Sequence, residues 1–390
     1  MPFAHASGRR GFIKMLAASP LLTQLAVRGM YEKSATAIGI DPRNNVYSRL
    51  GVKTVINCRG TWTYLSGSLQ FPEVRAAQTE AARYFVNMIE LQRGVGRRLS
   101  ELTGAEFIMV GGRSAFDNAI RLTGAKLILV ESPDEIANAV NGNTAMIYTT
   151  DLGDKLAREV AIAKDHNVPM LLDDAAGIPP ADNLKLYATM KIDLYTFSGG
   201  KGLQGPQCSG VLLGRKDLIE AALRNSSPFE GAVCRPMKVG KEEVIGCLTA
   251  VETWLKIDSR KLYEEWNARV TRIAKLVETV PGVKTEIYIP DGGNRYPTLK
   301  VSWDEEAWGF SVDDCVQKLR QSDPVIEVLG ADNPSLVPAV REGIQKPDKK
   351  ERKGSSHLEL VSMTIQPGEE MIVGQRLRTI LGSARKGNAA

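Results

Sequence analysis

Two short stretches of this chain hold residues whose chemistry can be read directly. The apolar residues 169–172 run into Asp173-Asp174, and the apolar residues 194–197 run into Ser198-Gly-Gly-Lys201. Each run reads as a buried strand. If the strands are parallel members of one sheet, Asp174 and Lys201 both emerge at its carboxyl edge, where α/β proteins bind ligands. A lysine amine in that place can condense with an aldehyde, and a carboxylate can keep a heterocyclic nitrogen protonated. Pyridoxal phosphate (PLP) needs this pair: the lysine for a Schiff base, the acid so that the ring accepts electrons from a substrate carbanion. Glycines on both sides of Lys201 allow close backbone approach. On spacing alone a plainer reading stays open, with Asp174 as a helix cap and Lys201 as a loop cation.

The elements that must position such a pair follow from periodicity. Residues 74–102 have a long helical period. Short apolar runs at 107–110, 126–130, 145–148, 169–172, 194–197 and 210–213 read as strands, with helices over 114–122, 154–166 and 215–223. Strands separated by single helices imply parallel crossovers, hence an α/β domain with a mostly parallel sheet. After residue 238 come two long helices (242–257 and 261–280). Strands at 283–289, 298–303, 325–329 and 358–363, a helix at 312–321 and a closing helix at 369–385 then suggest a smaller α+β domain. The expected division is an N-terminal segment 1–50, a large domain 51–257 and a small C-terminal domain 258–390.

Composition narrows the function class. The 390 residues are 43% hydrophobic and 24% charged with a net charge of +5, too mild to indicate a nucleic-acid partner. The charge run KPDKKERK at 346–353 reads as a solvated loop. Five scattered cysteines without CxxC spacing and three distant histidines argue against a zinc site or a disulfide framework, so no metal is expected. No apolar run reaches the eighteen or so residues a membrane-spanning helix requires. Arg9-Arg10, with Phe12 and Lys14 followed by the apolar residues 15–27, resembles a twin-arginine export signal; the competing reading is a basic amphipathic helix of a cytoplasmic protein.

The strings around the two charged residues are more specific than their spacing. DAAGIPP at 174–180 and DLYTFSGGKGLQGPQCSGVLLGRKDLI at 193–219 resemble the selenocysteine synthase / D-glucosaminate-6-phosphate ammonia-lyase family of PLP-dependent enzymes. So do VINCRGT at 55–61, Gly67-Ser68, Pro72-Glu73, LTGAE at 102–106 and KVGKEE at 238–243. The resemblance spans about residues 45–385. It implies a fold-type-I, PLP-dependent-transferase-like α/β fold with a smaller α+β C-terminal domain, and a homodimer or larger assembly. By position it implies Lys201 as the Schiff-base lysine and Asp174 as the partner of the pyridine nitrogen. Ser198 would bond the cofactor phosphate, and Gln207 would lie close to the lysine loop. Arg59, Thr61, Arg235 and Lys238 would face an amino-acid or amino-sugar-acid substrate, where a guanidinium suits a carboxylate or phosphate.

One departure from the family stands out. Only Gly111 and Gly112 separate the strand at 107–110 from the block beginning Arg113-Ser114, which is too short for the expected βαβ crossover. Either the phosphate cup is lost, or the Gly111-Gly112 pair has taken over as an anion nest. The readings carried forward are a PLP-dependent lyase, a selenium transferase acting on seryl-tRNA, and a non-catalytic homologue that keeps the fold.

Overall fold

The structure is a computed structural model. It describes residues 45, 47–62, 65–84, 86–105, 107–111, 125–291, 295–330 and 357–387. The arginine pair at 9–10, Gly112, the expected helix at 114–122 and the charge run at 346–353 lie outside the described residues.

In chain order the described elements are β1 (Val55–Cys58), α1 (Pro72–Ala81), α2 (Met88–Thr103), β2 (Phe107–Gly111), α3 (Pro133–Ala139), β3 (Ile147–Thr149), α4 (Gly153–Asp165), β4 (Met170–Asp173), α5 (Asn183–Thr189), β5 (Leu194–Ser198), β6 (Gly210–Gly214), α6 (Lys216–Arg224) and α7 (Lys241–Trp254). There follow α8 (Ser259–Val277), β7 (Lys284–Tyr288), β8 (Thr298–Ser302), α9 (Glu305–Trp308), α10 (Val312–Arg320), β9 (Val325–Val328), β10 (Leu358–Val361) and α11 (Glu369–Gly387). They form two compact units.

One unit covers residues 61–262 and 290–296. Its sheet has the order β2-β6-β5-β4-β3. Strands β3, β4 and β5 are parallel, while β6 runs against both β5 and β2. The sheet is therefore mostly parallel, as expected of this α/β class. Alternation along β4 buries Met170 and Leu172, and β5 buries Leu194, Tyr195 and Phe197. The single helical stretch expected over 74–102 is two helices. The Asn87 side chain accepts from the Ile89 and Glu90 amides at 2.9 and 3.3 Å and so starts α2. Residues 126–130 form no strand. Leu129 is 85% exposed there, and β3 is the outermost described strand, so no described neighbour supplies the ladder that a strand needs.

The other unit joins the described residues up to Gly60 to 263–289 and to the described residues from 297 onward. A three-stranded antiparallel sheet, β10-β8-β7, and the parallel pair β1-β9 enclose a core that includes Ile56, Cys58, Val270, Leu299, Ile326 and Leu377. Strand β1, which the linear reading places with the large domain, pairs here from Val55 opposite Val325 to Cys58 opposite Val328.

Glu369 opens α11 within this unit. Burial pushes its carboxyl up to about 7, against the Gln366 amide that donates to it at 2.8 Å and the charge of Arg269; Glu370 adds to the rise. A carboxyl whose folded value exceeds its unfolded value near 4.5 binds its proton more tightly when folded. Stability should therefore fall as pH rises from about 4.5 through 7, by on the order of 3 kcal/mol from this group. Denaturant titrations across that window should show a flatter pH dependence for Glu369→Gln; an unchanged slope would remove Glu369 as the cause.

Candidate active site

The site is built at the carboxyl edge shared by β4 and β5. Leu171 pairs with Leu194 and Asp173 with Thr196, so the two strands end side by side. The amide of Ser198 donates to the Ala175 carbonyl at 3.1 Å, which ties the two exits together. Asp174 and Lys201 follow those exits, and the charge of Lys201 reaches the Asp174 carboxyl.

The two adjacent acids are sorted by strand alternation. Asp174 is buried, at 5% exposure, and its Oδ2 accepts from Tyr187 Oη at 2.6 Å. Asp173 is half-buried; its Oδ2 accepts from Tyr148 Oη at 3.0 Å and its Oδ1 from the Ala175 amide at 3.2 Å. Burial raises the Asp174 carboxyl above its ordinary value. The Tyr187 hydrogen bond and the positive charges of Arg295 and Lys201 oppose the rise, and Asp173 adds to it. Tyr187 is held by an aromatic cluster, at 5.6 Å from Tyr195 and 6.0 Å from Phe197, and burial beside Asp174 pushes its phenol up. A Cβ at residue 177 would sit 1.7 Å from Asp174 Oδ2, so glycine is required under the carboxylate.

The lysine loop, residues 199–209, links β5 to β6. Its glycines serve protein contacts. A Cβ at Gly199 would meet Ser209 Oγ at 2.1 Å, and one at Gly200 would meet Gln207 Cα at 2.5 Å. Gly67 approaches the Gly200 carbonyl closely, and that carbonyl accepts from the Ser68 amide at 3.0 Å. Trp254 Nε1 donates to the Gly202 and Leu203 carbonyls, both at 3.1 Å. Lys201 is thus carried on a backbone fixed from three sides.

The other expected residues are distributed unevenly. Ser198 is half-buried at the end of β5. Gln207 is exposed and packs against Gly200 within the lysine loop. Gly111 ends β2 opposite Gly210, which in turn pairs with Ser198, so the expected phosphate-binding stretch starts at the same sheet edge. Thr61 is buried in this unit. Arg59 belongs to the other unit, where it is 1% exposed and donates to the Val328 carbonyl at 2.7 Å. Arg235 is half-buried and faces Glu230 at 3.4 Å, and Lys238 is exposed. Tyr187 and Arg295 were not anticipated. Tyr187 lies on a buried helix face and reads as core, and Arg295 is too distant in sequence for any local signal to couple it to Asp174.

No family model matches the chain. It is 27% identical over 339 residues to a 5'-C-glycyluridine monooxygenase-decarboxylase of a Streptomyces species, covering 72% of this chain and 83% of the relative. It is 24% identical over 333 residues to the D-glucosaminate-6-phosphate ammonia lyase of Salmonella typhimurium, covering 71% and 87%. A match to the L-seryl-tRNA(Sec) selenium transferase of Aquifex aeolicus, 27% identical, covers 38% of this chain and 36% of that protein. Among solved structures, a D-glucosaminate-6-phosphate ammonia-lyase superposes with a TM-score of 0.66 at 22% identity, over 87% of this chain and 99% of its own. An SPT with its PLP internal aldimine superposes with a TM-score of 0.56 at 15% identity, over 94% and 100%. The fold is that of the fold-type-I PLP enzymes, and the sequence relatives include the ammonia lyase and the selenium transferase that the motifs resemble.

Proposed function

We propose that this chain is a PLP-dependent lyase that removes ammonia from a hydroxylated amino acid or amino-sugar acid. The carrying observation is the juxtaposition of a buried carboxylate, Asp174, with Lys201 at the ends of neighbouring parallel strands. These residues fit the cofactor: Lys201 supplies an amine for its aldehyde, and Asp174 an anion that Tyr187 orients for its ring nitrogen. The cofactor would supply an aldehyde carbon for an amine and a protonated ring that accepts electrons from the α-carbon.

The protein's own part is proton handling and orientation. Lys201, with its amine free, would accept the α-proton of a bound substrate and return a proton to the β-hydroxyl, which would leave as water. Hydrolysis of the resulting enamine consumes one water, so the net products are a 2-oxo-3-deoxy acid and ammonia. Asp174 would hold its negative charge opposite the ring cation, whose charge would offset the cost of its burial. The ammonia-lyase relative favours this reading over selenium transfer, because it matches 71% of the chain against 38%. Retention of both Lys201 and Asp174 opposes a non-catalytic homologue.

The test is a titration of purified protein with PLP. A visible absorption band that borohydride removes is expected, followed by ammonia release from candidate 2-amino-3-hydroxy acids. Absence of the band overturns the reading.

The reading includes a homodimer or an assembly of dimers, in line with enzymes of this fold that complete their sites across a subunit boundary. Light scattering at micromolar concentration should give at least twice the 42.5 kDa chain mass; a monomer alone would count against a shared site.

A further inference from the structure

The chain passes through the site a second time, far from its two reactive residues. The described residues 290, 291, 295 and 296 belong to the unit that holds the five-stranded sheet, although β7 before them and β8 after them belong to the other. Tyr296, at the end of this stretch, is fully buried. Its Oη donates to the Ile178 carbonyl at 3.4 Å. A Cβ on Gly202 would fall 1.6 Å from that same carbonyl oxygen and 2.5 Å from the Tyr296 hydroxyl. Three chain segments therefore meet at one point, and the missing side chain of Gly202 makes the room.

Two of these segments carry the proposed chemistry. Ile178 ends the turn that begins at Asp174, where the Gly177 amide donates to the Asp174 carbonyl at 2.9 Å and Asn183 Nδ2 holds the Gly177 carbonyl at 2.7 Å. Gly202 follows Lys201 directly, and Trp254 Nε1 donates to its carbonyl. We infer that Tyr296 is a positioning residue of the site, its hydroxyl closing the Asp174 turn onto the lysine loop so that carboxylate and amine keep a fixed separation. Arg295, its neighbour, extends the role: its positive charge acts on both Asp174 and Tyr187. A small error in the separation of two reacting groups is costly to rate, which gives a buried hydroxyl at this junction a purpose beyond filling the core.

The inference rests on the lyase reading, and one set of measurements tells the two apart. Tyr296→Phe keeps the ring and removes only the hydroxyl. In the full-length protein without added PLP, amide hydrogen exchange should accelerate together in peptides covering residues 174–178 and 199–205. With PLP, the dissociation constant should rise about five- to tenfold, the loss of one buried hydrogen bond, and the pH titration of the visible band should shift. Gly202→Ala, which fills the shared space, should produce the same paired changes. Faster exchange confined to residues around 296, with PLP affinity and the band titration as in wild type, would make Tyr296 a core residue and overturn the inference. If wild-type protein gives no band with PLP, the lyase reading fails, while the exchange experiment still decides whether Tyr296 joins the two loops: paired acceleration supports the junction and its absence refutes it.

Discussion

Lys201→Ala should abolish the visible band that PLP develops with the wild-type protein, and reduction with borohydride followed by peptide mapping should then label no lysine specifically. In wild type the label should fall on Lys201. The expectation rests on the loop more than on the lysine. Gly199, Gly200 and Gly202 each leave out a Cβ that would collide with protein atoms, and the carbonyls of Gly200, Gly202 and Leu203 each accept a hydrogen bond. A loop fixed in this way holds its shape when one side chain is cut back, so the variant should fold and lose chemistry alone. Proton transfer by a positioned amine contributes about 10²–10⁴-fold to rate, and Lys201→Ala forfeits at least that. Labelling of a different lysine in wild type would show that the proposed site is wrongly placed.

Asp174→Asn should leave PLP bound and slow α-proton exchange by about 10²-fold or more, the usual cost of removing one oriented electrostatic group, whereas Asp173→Asn should stay within about threefold of wild type. Burial separates the two. Asp174 lies 5% exposed against Gly177 and accepts from Tyr187, which can donate equally to an asparagine oxygen, so the substitution preserves shape and removes charge. Asp173 is half-buried, and its two oxygens accept separately from Tyr148 and from the Ala175 amide; an asparagine oxygen keeps the amide contact, and the Tyr148 hydroxyl can turn to accept from the asparagine NH2. Deuterium exchange at the substrate α-carbon in both variants is the measurement. A crippling Asp173→Asn would mean that the strand register assigns the wrong carboxylate to the chemistry.

What the amino-acid sequence settled alone is what depends on near neighbours in the chain. The strand and helix runs of the sheet-bearing unit follow from period-2 and period-3.6 patterns, and β4 and β5 fall within a residue or two of the expected runs. Alternation along β4 is local too, and it continues into the different burial of Asp173 and Asp174. The Asp174–Lys201 pair could be proposed from the chain because one apolar run leads into Asp173-Asp174 and the next into Ser198-Gly-Gly-Lys201, inside strings that resemble one enzyme family. The break before α2 escaped the periodicity because a single Asn87 cap decides it.

Tertiary structure decided whatever joins distant stretches. Strand β1 finds its partner in β9, about 270 residues away, because Ile56 and Cys58 are buried in the core built by α8, α10 and α11; nothing in residues 55–58 names that partner. Arg59 is drawn into the same unit, where it donates to the Val328 carbonyl, a partner no local signal names. The glycines around Lys201 look like space for a ligand, yet they accommodate Ser209, Gln207 and Ile178. Tyr187, Arg295 and Tyr296 reach the site by burial and crossing, and none of the three leaves a local signal of its role. Backbone propensity acts over a few residues, whereas packing and desolvation act between whichever surfaces the fold brings together.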